Sequence, residues 1–368
     1  MTVSPRGWRT GLGLPGSPRG TRQRQVSGFP LALASAVLFG AATPAAKMLL
    51  ADLTAFQLAG LLYLGGAVGI APRVLWRRER RPPLDGITRT RLGGAVILGG
   101  VVAPVLLLFG LRVAPAGSVS LLLNFEVAAT AVIGVLLFGE ALGAPGWLGV
   151  GGVIVAGTVL PSGSGWPGVV SAMLVGAACI CWGFDNNFTA LIDGMSPSET
   201  TLWKTAIAGM TNLVMGAVLE PLRAPLPAIA AALGVGALSY GASIALYISA
   251  AHQAGTIRAQ SVFAAAPFFG AVVSWVALRE PVESMQLLAG GIFVAGVVLL
   301  TFDRHSHAHA HGPLSHVHSH RHDDGHHAHA HPDLPASARH THWHDHAPTE
   351  HAHPHVADLH HRHGHGSR

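Results

Sequence analysis

Seven residues place polar or ionisable groups inside stretches that are otherwise largely apolar: Lys47, Asn124, Glu126, Asp185, Asn186, Asn187 and Lys204. A charged side chain within a bilayer is costly unless it is paired or hydrated, so these residues are candidates for lining a cavity that holds a substrate or coupling ion. Glu126 is the most informative. A carboxylate in a partly dry cavity suits a group that loads and releases a proton or cation. The alternative is that it pairs with Lys47 or Arg112 and fixes helix packing. The run Cys181-Trp182-Gly183-Phe184-Asp185-Asn186-Asn187 is the densest polar cluster in any apolar stretch. Its acid and amides would coordinate an ion or a substrate amine, or else hydrogen-bond neighbouring helices. Cys181 and Asp185 are four apart and share a helix face, but two ligands do not make a metal site. Lys204 would pair with Asp185 or extend to the lipid headgroups. No catalytic motif is present and no apolar stretch pairs a nucleophile with a base, so the sequence gives no support for an enzyme.

A second chemistry lies at the C-terminal end. Residues 303–368 hold 23 of the 24 histidines. They form the groups His305, His307, His309, His311, then His316, His318, His320, His322, then His326, His327, His329, His331. These continue as His340, His342, His344, His346, then His351, His353, His355, and last His360, His361, His363, His365. Imidazoles on a flexible chain are expected to converge on a divalent transition metal such as Zn, Ni or Co. No cofactor is expected to be required elsewhere. The alternation resembles a strand, yet the intervening residues offer no apolar face, so the expectation is a disordered tail.

The elements that must position the first group are membrane helices. Half of the 368 residues are hydrophobic and only 11% are charged, where a soluble domain carries about a quarter. A sequence pI of 9.9 would suit nucleic acid, but the arginines cluster between apolar stretches, where topology signals belong, so no nucleic-acid partner is expected. A spanning helix needs about 20 apolar residues. Ten stretches approach this, at 30–50, 55–75, 92–111, 116–138, 146–161, 168–192, 199–219, 228–249, 257–278 and 284–302, with the fifth short. The basic linker after the second stretch (Arg73, Arg77, Arg78, Arg80, Arg81, Arg89, Arg91) and a basic leader at 1–29 predict cytoplasmic termini in a bacterial-type inner membrane.

The chain also repeats itself. Gly151-Gly152-Val153-Ile154-Val155-Ala156-Gly157 matches Gly290-Gly291-Ile292-Phe293-Val294-Ala295-Gly296, Glu140 matches Glu280, and Phe39-Gly40 matches Trp182-Gly183. The fold class read here is all-α integral membrane, with two five-helix copies at 30–161 and 168–302. An odd number of spans inserts the second copy upside down, and inverted repeats place substrate near the midplane. The small-xxx-small glycines pack helices within one chain or, alternatively, between two chains of a homodimer. Glu140 and Glu280 read as solvated helix ends, and His252 as interface.

With these features, the halves resemble two EamA domains of the drug/metabolite transporter superfamily. The aromatic-glycine start of each half with the later Lys47, the glutamates after the fourth and ninth helices, and the closing glycine-rich helices carry the likeness. It implies ten helices and export of a small metabolite or drug driven by an ion gradient. Two features depart from the pattern. Pro267 faces Val127 where the family often has proline in both halves, and Glu126 is not expected beside it. The rival readings are a divalent-metal transporter fed by the tail, and a membrane-anchored metal store or sensor.

Overall fold

The computed structural model describes residues 18–76, 84–138, 142–163, 165–192, 195–254, 256–302 and four tail segments at 305–311, 314–320, 340–346 and 349–355. Among the described residues, eight helices are long and apolar enough to cross a membrane: α1 (Gly28–Leu49), α2 (Ala55–Trp76), α3 (Gly86–Val113), α4 (Ala116–Phe138), α6 (Gly165–Ala190), α7 (Pro197–Leu219), α8 (Leu226–Ala251) and α9 (Ala259–Ala277). Two further apolar helices, α5 (Ala144–Val159) and α10 (Ser284–Leu300), are shorter. At about 1.5 Å per residue α5 reaches roughly 24 Å, short of the hydrocarbon core of about 30 Å, while the α10 backbone continues to Phe302 and reaches roughly 28 Å. Among the described residues, eight of the ten expected stretches thus have full spanning length and apolarity. The first helix begins earlier than expected, its backbone running from Pro18 through what reads as a leader.

Local chemistry sets the helix starts. Asp85 caps α3 by accepting from the Thr88 amide at 2.8 Å. Ser196 and Glu199 close a reciprocal capping box on α7. By contrast, α8 starts at Pro225 with no side-chain cap.

The helices pair across the two halves of the chain. α2 packs on α7, α5 on α10, α1 on α8 and, in the corresponding exchange, α6 on α3. Close approach is made by glycines. A Cβ on Gly60 would meet Leu213 at 2.6 Å, and one on Gly209 would meet Leu64 at 2.8 Å. In these α2–α7 contacts residue numbers rise in one helix as they fall in the other, so the equivalent helices run antiparallel. The α5–α10 seam is built likewise around Gly149 and Gly296. Gly152 faces Gly296, so this repeat motif packs within the chain, whereas Gly151 and Gly291 have nothing near them.

The tail corrects one expectation. Segments expected to be disordered form strands β1 (His305–His311), β2 (Leu314–His320), β3 (His340–His346) and β4 (Thr349–His355). β1 pairs antiparallel with β4, and β2 with β3. Most histidines in these ladders sit opposite another, as in His307↔His353 and His318↔His342. The two-residue alternation is the strand period itself. The tail's side chains, Glu140, the side chain of His252 and the arginines at 77–81 lie outside the described residues.

Candidate functional site

Two helices are broken at matched places. α4 consists of Ala116–Leu122 and Phe125–Phe138, and α9, whose helical backbone starts three residues before its apolar span, of Thr256–Phe263 and Ala266–Ala277. In α9, Pro267 stands at the start of the second piece and lacks the amide a continuous helix would use. In α4 the corresponding residue is Val127, and the interruption falls at Asn124. The Asn124 amide group donates to the Leu121 carbonyl at 2.8 Å, competing with the helical ladder. Cys179 Sγ lies 3.9 Å from the Leu122 carbonyl oxygen freed there. Asn124 is fully buried, and its side-chain oxygen has no partner among the described residues.

The second piece of α4 packs on α6 and brings the polar cluster together. Asn186 Nδ2 donates to Glu126 Oε1 at 2.9 Å and to Thr130 Oγ1 at 3.1 Å. At the preceding residue, Lys204 Nζ from α7 meets Asp185 Oδ2 at 2.7 Å, while Thr189 donates to Asp185 Oδ1 at 3.0 Å. Asp185 is only 2% exposed. α3 reaches it because Gly99 has no side chain, and a Cβ there would collide with the Asp185 carboxylate. Asn187 turns instead to the backbone oxygens of Gly183 and Thr130 and serves as helix-packing glue.

Around this cluster both halves depart from α-helical winding. Residues Ala95–Val102 of α3 and Ala237–Ala242 of α8 form π-helical turns. Such turns leave carbonyls for side chains to take up. Gly99 O accepts from Tyr63 Oη at 2.8 Å and from Trp182 Nε1 at 2.9 Å, and Gly100 O accepts from Asn212 at 3.1 Å. The ring of Tyr240, on the second π turn, lies 5.5 Å from that of Tyr63 and 5.7 Å from that of Phe39, which in turn contacts Phe263 at 5.2 Å.

Of the residues singled out in the sequence, Glu126, Asp185, Asn186 and Lys204 converge, with Asn124 at the adjoining break. Lys47 does not join them. Its ammonium donates to the carbonyls of Leu111 at 2.6 Å and Ala114 at 2.9 Å, and Arg112 binds Leu53 O at 3.2 Å. Neither is a partner of Glu126, whose interhelical contact is with Asn186 instead. Lys204 takes Asp185 and not the headgroups. Glu280 is likewise no solvated end, because its two oxygens accept from the Ala116 and Gly117 amides at 2.7 and 2.8 Å and cap α4. Arg279 before it has φ of 54°, the one positive φ outside glycine among the described residues. No group of three or more metal-binding side chains occurs among the described residues, so Cys181 and Asp185 have no third ligand. The sequence reading missed Tyr63, Thr130, Thr189 and Tyr240. Their signal was faint, although Tyr63 and Tyr240 are two of only three tyrosines in the chain.

The paired architecture has a counterpart among known proteins. The EamA-like transporter family pattern matches residues 26–161 and again 169–302. The chain belongs to the EamA-like transporter family. An uncharacterized transporter from Methanothermobacter thermautotrophicus is 30% identical over 215 residues, covering 55% of this chain and 62% of that protein. The matched region thus spans less than two thirds of the relative. A crystal structure of a protein with 17% identity superposes at a TM-score of 0.50, covering 75% of this chain and 96% of the other. It shows the fold alone. Family membership and the apolar helices make the chain a multi-pass membrane protein, and the polar cluster beside the two breaks is its candidate site.

Proposed function

We propose that the chain is a secondary-active exporter of a small organic metabolite or drug, built from two oppositely inserted five-helix copies whose tenth and fifth members are short. The observation that carries this reading is the pair of matched breaks in α4 and α9, beside which the ionisable residues gather. Discontinuous helices at the centre of inverted repeats are where transporters hold substrate. The antiparallel course of α2 against α7 supports the opposite insertion. The arginine distribution supports a plasma-membrane location with both termini cytoplasmic.

Purified chain in proteoliposomes should support counterflow of a small organic solute. Replacing the pair together (Asp185→Asn with Lys204→Met) should abolish that flux while the melting temperature changes little. Undiminished flux in the double variant would remove the cluster from the transport path.

The histidine tail is proposed to bind Zn, Ni or Co as a regulatory appendage. Deleting residues 303–368 should leave counterflow intact and remove most metal bound per chain in equilibrium dialysis. Loss of counterflow on deletion would favour a metal-linked transporter.

A further inference from the structure

We infer that the site takes an organic cation, a protonated amine or quaternary ammonium on an apolar or aromatic body, with Glu126 as its counter-charge and the Phe39, Tyr240 and Phe263 rings as its wall. The inference rests on the transporter reading above and adds the chemical class of what is carried.

Charge is the first ground. Asp185 is neutralised by Lys204 at 2.7 Å. That leaves Glu126 as the carboxylate in the cluster without an ion-pair partner among the described residues. Its Oε1 is held by Asn186, while its Oε2 has no hydrogen-bond partner among those residues. An anionic solute would have to lie against this carboxylate. The nearby cation that would compensate, Lys204, is already committed to Asp185.

Shape and surface are the second ground. Tyr240 lies 5.5 Å from Tyr63, whose hydroxyl donates to the Gly99 carbonyl at the point where Gly99 abuts the Asp185 carboxylate. Its ring stacks into the Phe39–Phe263 group, and its hydroxyl makes no hydrogen bond among the described residues. A carboxylate beside aromatic faces suits an organic cation, since ring faces attract positive charge and ring area holds an apolar body. A hard divalent metal asks for several oxygen ligands at once, and no such group of side chains occurs among the described residues. Asn124 adds a buried, unpartnered amide oxygen two residues from Glu126, a further acceptor for an ammonium hydrogen at the break.

The test uses full-length chain in detergent and probes of matched shape. Tetraphenylphosphonium and the smaller benzyltrimethylammonium are the cations, and tetraphenylborate is the anion of the same shape as the first. At least one cation should bind saturably, and tetraphenylborate should not compete. Glu126→Gln should weaken cation binding roughly tenfold or more, with Glu126→Asp weakened less. Tyr240→Leu should cost roughly fivefold, and Tyr240→Phe less than that. The inference is overturned if neither cation binds, if tetraphenylborate competes as well as the cations, or if Glu126→Gln binds like the parent. Proteoliposome flux separates this from the transporter reading. Movement of neutral or anionic solutes without cation binding leaves the transporter and sinks the cation. Cation binding with no flux of any solute leaves the cation site and sinks the transporter.

Discussion

α4 and α9 occupy equivalent places in the two halves and break at the same point, yet they reach that break by different chemistry. In α9 a proline removes an amide. In α4 an asparagine side chain takes a carbonyl. Beyond the break the difference grows, because Glu126 stands where the other half has Ala266. The backbone has kept the symmetry of the repeat while the side chains have abandoned it. A single solute needs one orientation in the site, so a symmetric frame filled asymmetrically is what a carrier of an asymmetric solute requires.

The comparison can be broken most severely by moving the acid. Ala266 is 2% exposed and lies against Gly40. Ala266→Glu should therefore destabilise by about 5 kcal/mol, through burial of an unpaired charge and overpacking. Glu126→Ala, at a half-buried position where Asn186 is the one side-chain donor to the carboxylate, should cost less, about 1–2 kcal/mol. Equal losses of melting temperature would show the two positions to be interchangeable. Next in size is Lys204→Met alone, which strands the Asp185 charge at a cost of about 3 kcal/mol, with most of it restored by adding Asp185→Asn. No restoration would mean that the pair is incidental. Smaller again is Glu280→Gln, which weakens the cap on the first piece of α4 and should lower stability by about 1 kcal/mol. Its neighbour should move the other way, since Arg279→Gly relieves a left-handed backbone by about 1 kcal/mol. The smallest effect compares α3 with uncapped α8. The Thr88 hydroxyl and amide hold the Asp85 carboxyl below the usual carboxylate range. That contribution is present above the usual range and fades as pH falls through the lowered value. Asp85→Ala should flatten the acid limb of a melting-temperature profile.

Much of this was legible in the sequence for physical reasons. Apolar length, the repeat and the cost of charge in lipid all pointed to a helical body and to Glu126, Asp185, Asn186 and Lys204. What escaped depended on partners. The break in α4 lacks a proline, and Asn124 acts through a bond visible only once the helix exists. Glu280 sits at a helix end, and only the fold brings the α4 amides to it. The π turns follow from which side chains arrive to take the Gly99 and Gly100 carbonyls. Lys47 misled because an intramembrane cation satisfied by carbonyls reads, in sequence, like one waiting for an acid.

The Asp185–Lys204 pair has an electrical consequence. With that pair cancelled, the centre carries one negative charge at Glu126 when empty and ionised, and none when a monovalent cation is aboard. If the site is offered to the two sides of the membrane in turn, reorientation of the loaded form is indifferent to voltage. The return of the empty form moves charge, worth up to about 2.3 kcal/mol per 100 mV for a full crossing. The membrane potential would then act on the recovery stroke alone.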